Sequence, residues 1–140
     1  IEESLGSKTF LKIYFSSGVI GGLIQIFVMV LVPHRFGDAV VGASAGAAGL
    51  IAAFATLFPE RSLTVLLFFI FPINMKAKVL LLLIGGFAVF GIIFPQSSIA
   101  HAAHLGGMLA GIAFVRWVVL PNHDPEKSEL SFPTKIQSPR

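Results

Sequence analysis

The run Val41 to Phe58 reads VGASAGAAGLIAAFATLF, and it decides the fold. It carries no charged residue, and Gly42, Ala45, Gly46, Ala48, Gly49, Ala52 and Ala53 recur at three- and four-residue steps. A bilayer core is crossed by about 20 helical residues, within a range of about 17–25. Small residues at this spacing let two helix backbones approach closely in lipid. Val41–Phe58 therefore reads as a membrane span whose surface is made for packing. Three more runs have the same character: Leu11 to Val32, Val79 to Phe94 (reaching back toward Met75) and Ala100 to Leu120. Between the second and third spans, Leu63 to Phe71 is too short to cross, and Pro72, Asn74, Lys76 and Lys78 set it apart. It is expected to be an interfacial or re-entrant piece, and periodicity alone leaves a fifth element open there. The fold class expected is all-α, a polytopic membrane helical bundle with four spans and one short interfacial segment.

Composition points the same way. Apolar residues make up 55% of the 140 and charged residues 12%, with 14 Phe and a mean hydropathy of +0.87. A soluble domain has about 25% charged residues, and so much apolar surface is covered only by lipid. There is no Cys, which leaves neither a disulfide framework nor a thiolate metal site. The basic balance, +3 with a pI near 9.6, forms no patch of the kind nucleic acid binds. The bilayer is the expected partner, and no nucleic acid is.

Four crossings put both ends of the chain and the 59–78 connection on one face. That face collects Lys8, Lys12, Arg61, Lys76, Lys78, Lys127, Lys135 and Arg140, with Arg116 able to snorkel to it. Only Arg35 lies opposite. The positive-inside rule makes the basic face cytoplasmic, so a cell (inner) membrane is expected. Trp117 fits an aromatic anchor at that surface. The polar, Pro-punctuated residues 121–140 read as a disordered cytoplasmic tail, which leaves 1–120 as the membrane domain. Ile1 opens an amphipathic stretch with no signal-peptide pattern, so the chain reads as a fragment with upstream spans missing.

Polar groups inside a membrane are costly and are functional candidates by default. Two stand out. Ser44 lies near the start of the second span and His104 near the start of the fourth. Both spans run from the outside inward, so a hydroxyl and an imidazole sit at matching depth, about one helical turn below the outer surface. Gly107 and Gly111 form a Gly-x-x-x-Gly frame one turn below His104 and are expected to meet the Gly42/Gly46 face. Contact of those faces brings Ser44 and His104 near hydrogen-bond distance. A hydroxyl beside a neutral imidazole is the minimal activated nucleophile. The backbone N–H of Ser44, near a helix N-terminus, faces a developing oxyanion.

Other readings remain open at this point. A membrane-helix Ser commonly bonds its own backbone, and Gly/Ala runs also mark transporters and channels. His101 and His104, three apart, share a helix face and could ligate a metal. No His-Glu-x-x-His motif accompanies them, and Asp38 and Asp124 fall outside the spans. His34 and His123 fall in loop and tail. Apart from Lys12, Gln25 and Arg116, the spans lack the charged or amide groups that a transporter would need.

The pairing of Gly42-Ala43-Ser44-Ala45-Gly46 with Ala103-His104-Leu105-Gly106-Gly107 and Gly111, on two different spans, resembles the signature of the rhomboid family. Glu3 and Gly6 before Lys8, then Tyr14, Phe58-Pro59 and the turn from Pro72-Ile73 to Lys76, resemble the family as well. The likeness covers roughly Glu3 to Leu120. It implies an intramembrane serine endopeptidase with a Ser-His dyad and no acid partner, entered from the outer side through a water-filled depression. Its substrates would be transmembrane segments of other proteins, with no cofactor. By the resemblance, Ser44 is the nucleophile, His104 the general base, and Gly42, Gly46, Gly107 and Gly111 pack the dyad. His101, nearer the surface, would be secondary. The family core has six spans, and the second carries a His and an Asn for the oxyanion; those positions would precede Ile1. Many members carry an aromatic residue four positions after the serine, where this sequence has Ala48. Phe94 to Ile99 resembles the loop that gates substrate entry. A catalytically silent relative that binds transmembrane helices is the alternative; relatives of that kind usually lose Ser or His, and both are present.

Overall fold

The computed structural model describes residues 1–32, 42–67, 71–94 and 100–122. A single turn, α1 (Glu2–Leu5), ends at Gly6, whose φ of 79° lies in the left-handed region open to a residue without Cβ. That turn redirects the chain into α2 (Ser7–Leu31). The buried residues of α2 are Ile13, Ser17, Gly21 and Gln25, at four-residue steps. Four residues advance a helix a little more than one turn, so these residues form one narrow stripe. Much of the rest of α2 is apolar and turned outward, with Phe15, Val19, Leu23, Phe27 and Val30 all exposed. Lipid tolerates such a surface; water does not.

Two further helices close on that stripe. They are α3 (Gly42–Leu57) and α5 (His101–Phe114), and with α2 they form the packed core of the bundle. The helix α4 (Ala77–Ile93) lies more lightly against α5 and α3. Beyond Phe114, α5 continues through a π-helical turn (Val115–Val119) into a last short turn (Leu120–Asn122). Val115 and Val119 pack there against Ile13 and Ala53.

By length and composition α2 and the continuous His101–Val119 helix can each cross a membrane. The apolar α3 and α4 have 16 and 17 residues, about 24–26 Å at 1.5 Å per residue against a core of about 30 Å. All four expected spans are present as helices, displaced by no more than a few residues, the largest difference being the start of α2 at Ser7.

The 59–78 connection, expected as an interfacial or re-entrant piece with a fifth element left open, contains paired strands. It is an antiparallel hairpin of β1 (Ser62–Leu67) and β2 (Phe71–Lys76), with Ser62 opposite Lys76 and Thr64 opposite Asn74. Thr64 Oγ1 donates to Asn74 Oδ1 at 2.6 Å across the pair. The Ala77 N–H donates to the Arg61 carbonyl and the Lys78 N–H to the Pro59 carbonyl, which ties the hairpin base to the helix ends. Glu60 bridges Lys76, at 2.7 Å, and Lys78. These two ammonium groups hold its carboxyl down at about 2. A two-stranded sheet has two open edges, and hydrocarbon satisfies neither. The hairpin therefore suits a water-facing interface and not a re-entrant position.

Of the expected gating loop, Phe94 to Ile99, residues 95–99 lie outside the described residues, as do most of the expected tail, 123–140, and His34, Arg35, Asp38, His123 and Asp124.

Candidate active site

The site begins with how closely α3 and α5 approach. A Cβ on Gly107 would overlap the carbonyl oxygen of Ala45 and lie 2.9 Å from its carbonyl carbon. A Cβ on Gly111 would overlap the Gly49 carbonyl oxygen and lie 2.8 Å from its carbon. The two helices thus touch backbone to backbone over two turns. Gly107 and Gly111 meet Ala45 and Gly49, four residues apart on the facing helix.

The expected partner Gly46 lies one residue out of that register. A Cβ there would come within 2.8 Å of the Tyr14 carbonyl oxygen and 2.9 Å of the Tyr14 ring, so Gly46 admits α2 instead of α5. One residue turns a helix by about 100°, enough to move a position from one neighbour to the other. Gly42 opens α3, and the surroundings of its Cα are outside what is described. The contact with Gly107 and Gly111 that was expected of Gly46 is made by Ala45 and Gly49.

Ser44 is in the first turn of α3, and His104 is the fourth residue of α5. Both side chains line one cavity of about 210 Å³, together with Ala47, Ala48 and Ile51 of α3 and Ile84 of α4. At about 30 Å³ of liquid volume per molecule, this is room for several waters. Three larger hollows, of about 330, 280 and 330 Å³, have no histidine in their walls. Ser44, Ala47, Ala48 and Ile51 follow the three- and four-residue spacing of a single helix face. Ala48, where an aromatic ring was expected to support the imidazole, is 6% exposed and packs beside Ala52, Met108 and Ile84. The wall next to His104 is aliphatic.

His101 takes a different course. It is 3% exposed, buried within the bundle at the first residue of α5. Its ring meets Phe87 edge-on at 5.4 Å, and a Cβ on Gly91 would overlap it. It serves the contact between α5 and α4. No third His, Cys, Asp or Glu joins His101 and His104 in a metal-ligating group among the described residues.

Two buried polar residues of α2, Ser17 and Gln25, were not singled out by sequence. Gln25 is 2% exposed on the inner stripe of α2, and its Oε1 accepts a hydrogen bond from the Ala103 N–H at 3.1 Å. Ala103 immediately precedes His104. The available signal was the cost of an amide inside an apolar span; its partner was not legible.

Comparisons with known proteins identify the family. Residues 1–121 match the family model of the rhomboid domain. The chain is 32% identical over 128 residues to the human presenilin-associated rhomboid-like protein, mitochondrial, covering 89% of this chain and 33% of the relative. It is 29% identical over 110 residues to rhomboid protein 1, mitochondrial, of Saccharomyces cerevisiae, covering 79% and 31%. A zebrafish (Danio rerio) relative, presenilin-associated rhomboid-like protein A, mitochondrial, is 32% identical over 115 residues, covering 82% and 29%. The chain thus spans about a third of the length of the curated relatives it matches. No solved structure matches it. A family model covering nearly the whole chain, on a bundle of apolar helices, has one meaning: the chain belongs to the rhomboid family of membrane proteins.

Proposed function

We propose that the protein is an intramembrane serine endopeptidase, with Ser44 as nucleophile and His104 as general base. The observation that carries this reading is the single cavity lined by both residues, each from the first turn or so of its helix. The backbone contacts of Gly107 with Ala45 and Gly111 with Gly49 lock those two helices together.

The chemistry follows from the groups present. Ser44 Oγ attacks the scissile carbonyl carbon while a ring nitrogen of His104 takes its proton. The carbonyl oxygen becomes an anion, and the positive end of the α3 dipole beside Ser44 favours it. On collapse the C–N bond breaks, and His104 returns the proton to the leaving amine. Water, activated by His104, then attacks the acyl-serine ester, and proton return to Oγ restores the enzyme. The aliphatic wall of Ala47, Ala48, Ile51 and Ile84 suits an apolar peptide, which is the composition of a transmembrane segment. The basic residues Arg61, Lys76 and Lys78 at the hairpin end mark that end as the inward one, so the cavity opens toward the other side.

The test is cleavage of a transmembrane reporter by the complete protein in liposomes, together with labelling by a fluorophosphonate that reacts with activated serines. Cleavage and labelling that both disappear in Ser44→Ala support the reading. A wild-type protein that neither cleaves nor labels, yet crosslinks to transmembrane helices, would make it a silent helix-binding member of the family.

A further inference from the structure

We infer that Gln25 is a positioning residue for His104: its side-chain carbonyl caps the histidine helix from across the bundle. The inference rests on the reading of His104 as the base.

The first turn of any helix has N–H groups with no carbonyl four residues back. In water a Ser, Asp or Asn at the N-cap satisfies one of them. The N-cap of α5 is Ala100, which has no side-chain acceptor. The first intrahelical bond of α5 is donated by the His104 N–H to the Ala100 carbonyl, at 3.1 Å. The Ala103 N–H, one residue earlier, is bonded to Gln25 Oε1 at 3.1 Å in a buried setting. A residue 78 positions away in sequence thus supplies the cap that the local sequence omits.

The surrounding packing is arranged for this bond. Gly21 lies one turn before Gln25 on the same stripe of α2. A Cβ on Gly21 would overlap the Ala103 carbonyl oxygen and come within 2.8 Å of Ala45 Cβ and 3.1 Å of the Gly107 nitrogen. From the other side, a Cβ on Gly106 would come within 2.7 Å of Ile24 Cδ1 and 3.1 Å of Gly21 Cα. So α2 reaches the backbone of α5 at the residue before His104, at the junction where α3 also meets it. Gly21 admits the approach, and Gln25 fixes its depth and rotation. A rotation of α5 about its own axis would carry His104 away from the cavity it shares with Ser44. The Gln25 bond opposes that motion directly, since it holds the backbone one residue before the ring.

The complete protein in micelles or bilayers allows a test with two readouts that do not depend on activity. Gln25→Met keeps the length and removes the acceptor, while Gln25→Glu keeps an acceptor oxygen. In Gln25→Met, hydrogen exchange at the Ala103 amide is expected to rise about tenfold, the loss of one buried hydrogen bond, while the Thr56 and Leu57 amides of α3 do not change. The His104 ring resonances should move in Gln25→Met and return in Gln25→Glu. For active protein, kcat per titrated serine should fall about tenfold or more in Gln25→Met with KM little changed, and recover in Gln25→Glu. Unchanged exchange at Ala103, or faster exchange with unmoved His104 resonances, overturns the inference. If Gln25→Met does not fold, the wild-type protein decides: an Ala103 amide that exchanges as fast as a free helix-start amide overturns the cap. A wild-type protein without cleavage or labelling refutes the protease reading alone, because the exchange and resonance results stand apart from it.

Discussion

Replacing Gly107 by Ala tests whether α3 and α5 hold the proposed dyad by touching backbone to backbone. The new Cβ would overlap the Ala45 carbonyl oxygen and lie 2.9 Å from its carbon, where ordinary carbon contacts are about 3.5–4.0 Å. The three nearest atoms, the carbonyl oxygen, carbonyl carbon and Cα of Ala45, are all backbone, so no side chain can swing aside and the helices must part by roughly 1 Å. Overpacking of this kind costs about 1–3 kcal/mol, offset by about 1 kcal/mol from the better helix propensity of Ala. The net destabilisation is therefore modest. Activity is more sensitive, because a misplacement of about 1 Å between reacting groups costs about a hundredfold in rate. Thermal unfolding and cleavage of a transmembrane reporter should be measured on the same preparation. The expected result is a small drop in melting temperature with kcat down about a hundredfold. Gly86→Ala is the control: nothing lies within 4 Å of a Cβ there, so it should match or exceed wild-type stability and cleave normally. A Gly107→Ala variant that cleaves within about threefold of wild type would refute the claim that this contact seats the dyad.

Ser44→Ala should abolish cleavage and fluorophosphonate labelling while changing the melting temperature little, since Ser44 is only half-buried. His104→Ala should be equally inactive, whereas His101→Ala should retain measurable cleavage but melt lower, because it empties the space between Gly91 and Phe87. Glu60 ties the hairpin to α4, and its carboxyl, held down at about 2 in the folded protein, has an ordinary value of 4.5. Its contribution is present above pH 4.5 and is lost as pH falls from there toward 2; Glu60→Gln should remove that acid limb, and added salt should shrink it, as read by thermal unfolding against pH.

The helices were legible because apolar runs of near-spanning length have few alternatives in a chain this poor in charge. The candidates Ser44 and His104 stood out for a related reason: a polar group in such a run is costly. The hairpin was not. Its apolar run is short, and a short apolar run does not distinguish strand from helix. The alternation Ser62, Leu63, Thr64, Val65 was the one local sign of a strand, and Pro72 in β2 blurred it. The three-helix junction was beyond sequence for another reason. Glycines on a packing face show that something approaches, without showing what. Gly46 was thus assigned to α5 and in fact admits Tyr14 of α2, while Gln25 gave no sign that its partner was the backbone beside His104.

On the proposed reading of Ser44 and His104, a dyad at a glycine-lined contact has a physical reason. Lipid tails are as apolar as the helices, so the helices gain little from hiding apolar surface from one another; close van der Waals contact and a few hydrogen bonds must hold them. A serine has a single carbon between its backbone and its nucleophilic oxygen, so Oγ goes where the backbone of α3 puts it. A long side chain could absorb an error in helix spacing, but Ser44 cannot. The imidazole of His104 has two rotatable bonds, and the aliphatic wall of Ala48 and Ile84 offers it shape without a stacking partner among the described residues. The spacing and rotation of α3 and α5 therefore have to be fixed elsewhere along the helices. Gly107 on Ala45 and Gly111 on Gly49 fix the spacing, and Gln25 on the Ala103 N–H opposes rotation. A substitution several ångströms from the cavity, at any of these positions, reaches the chemistry through the backbone with no side chain to dampen it.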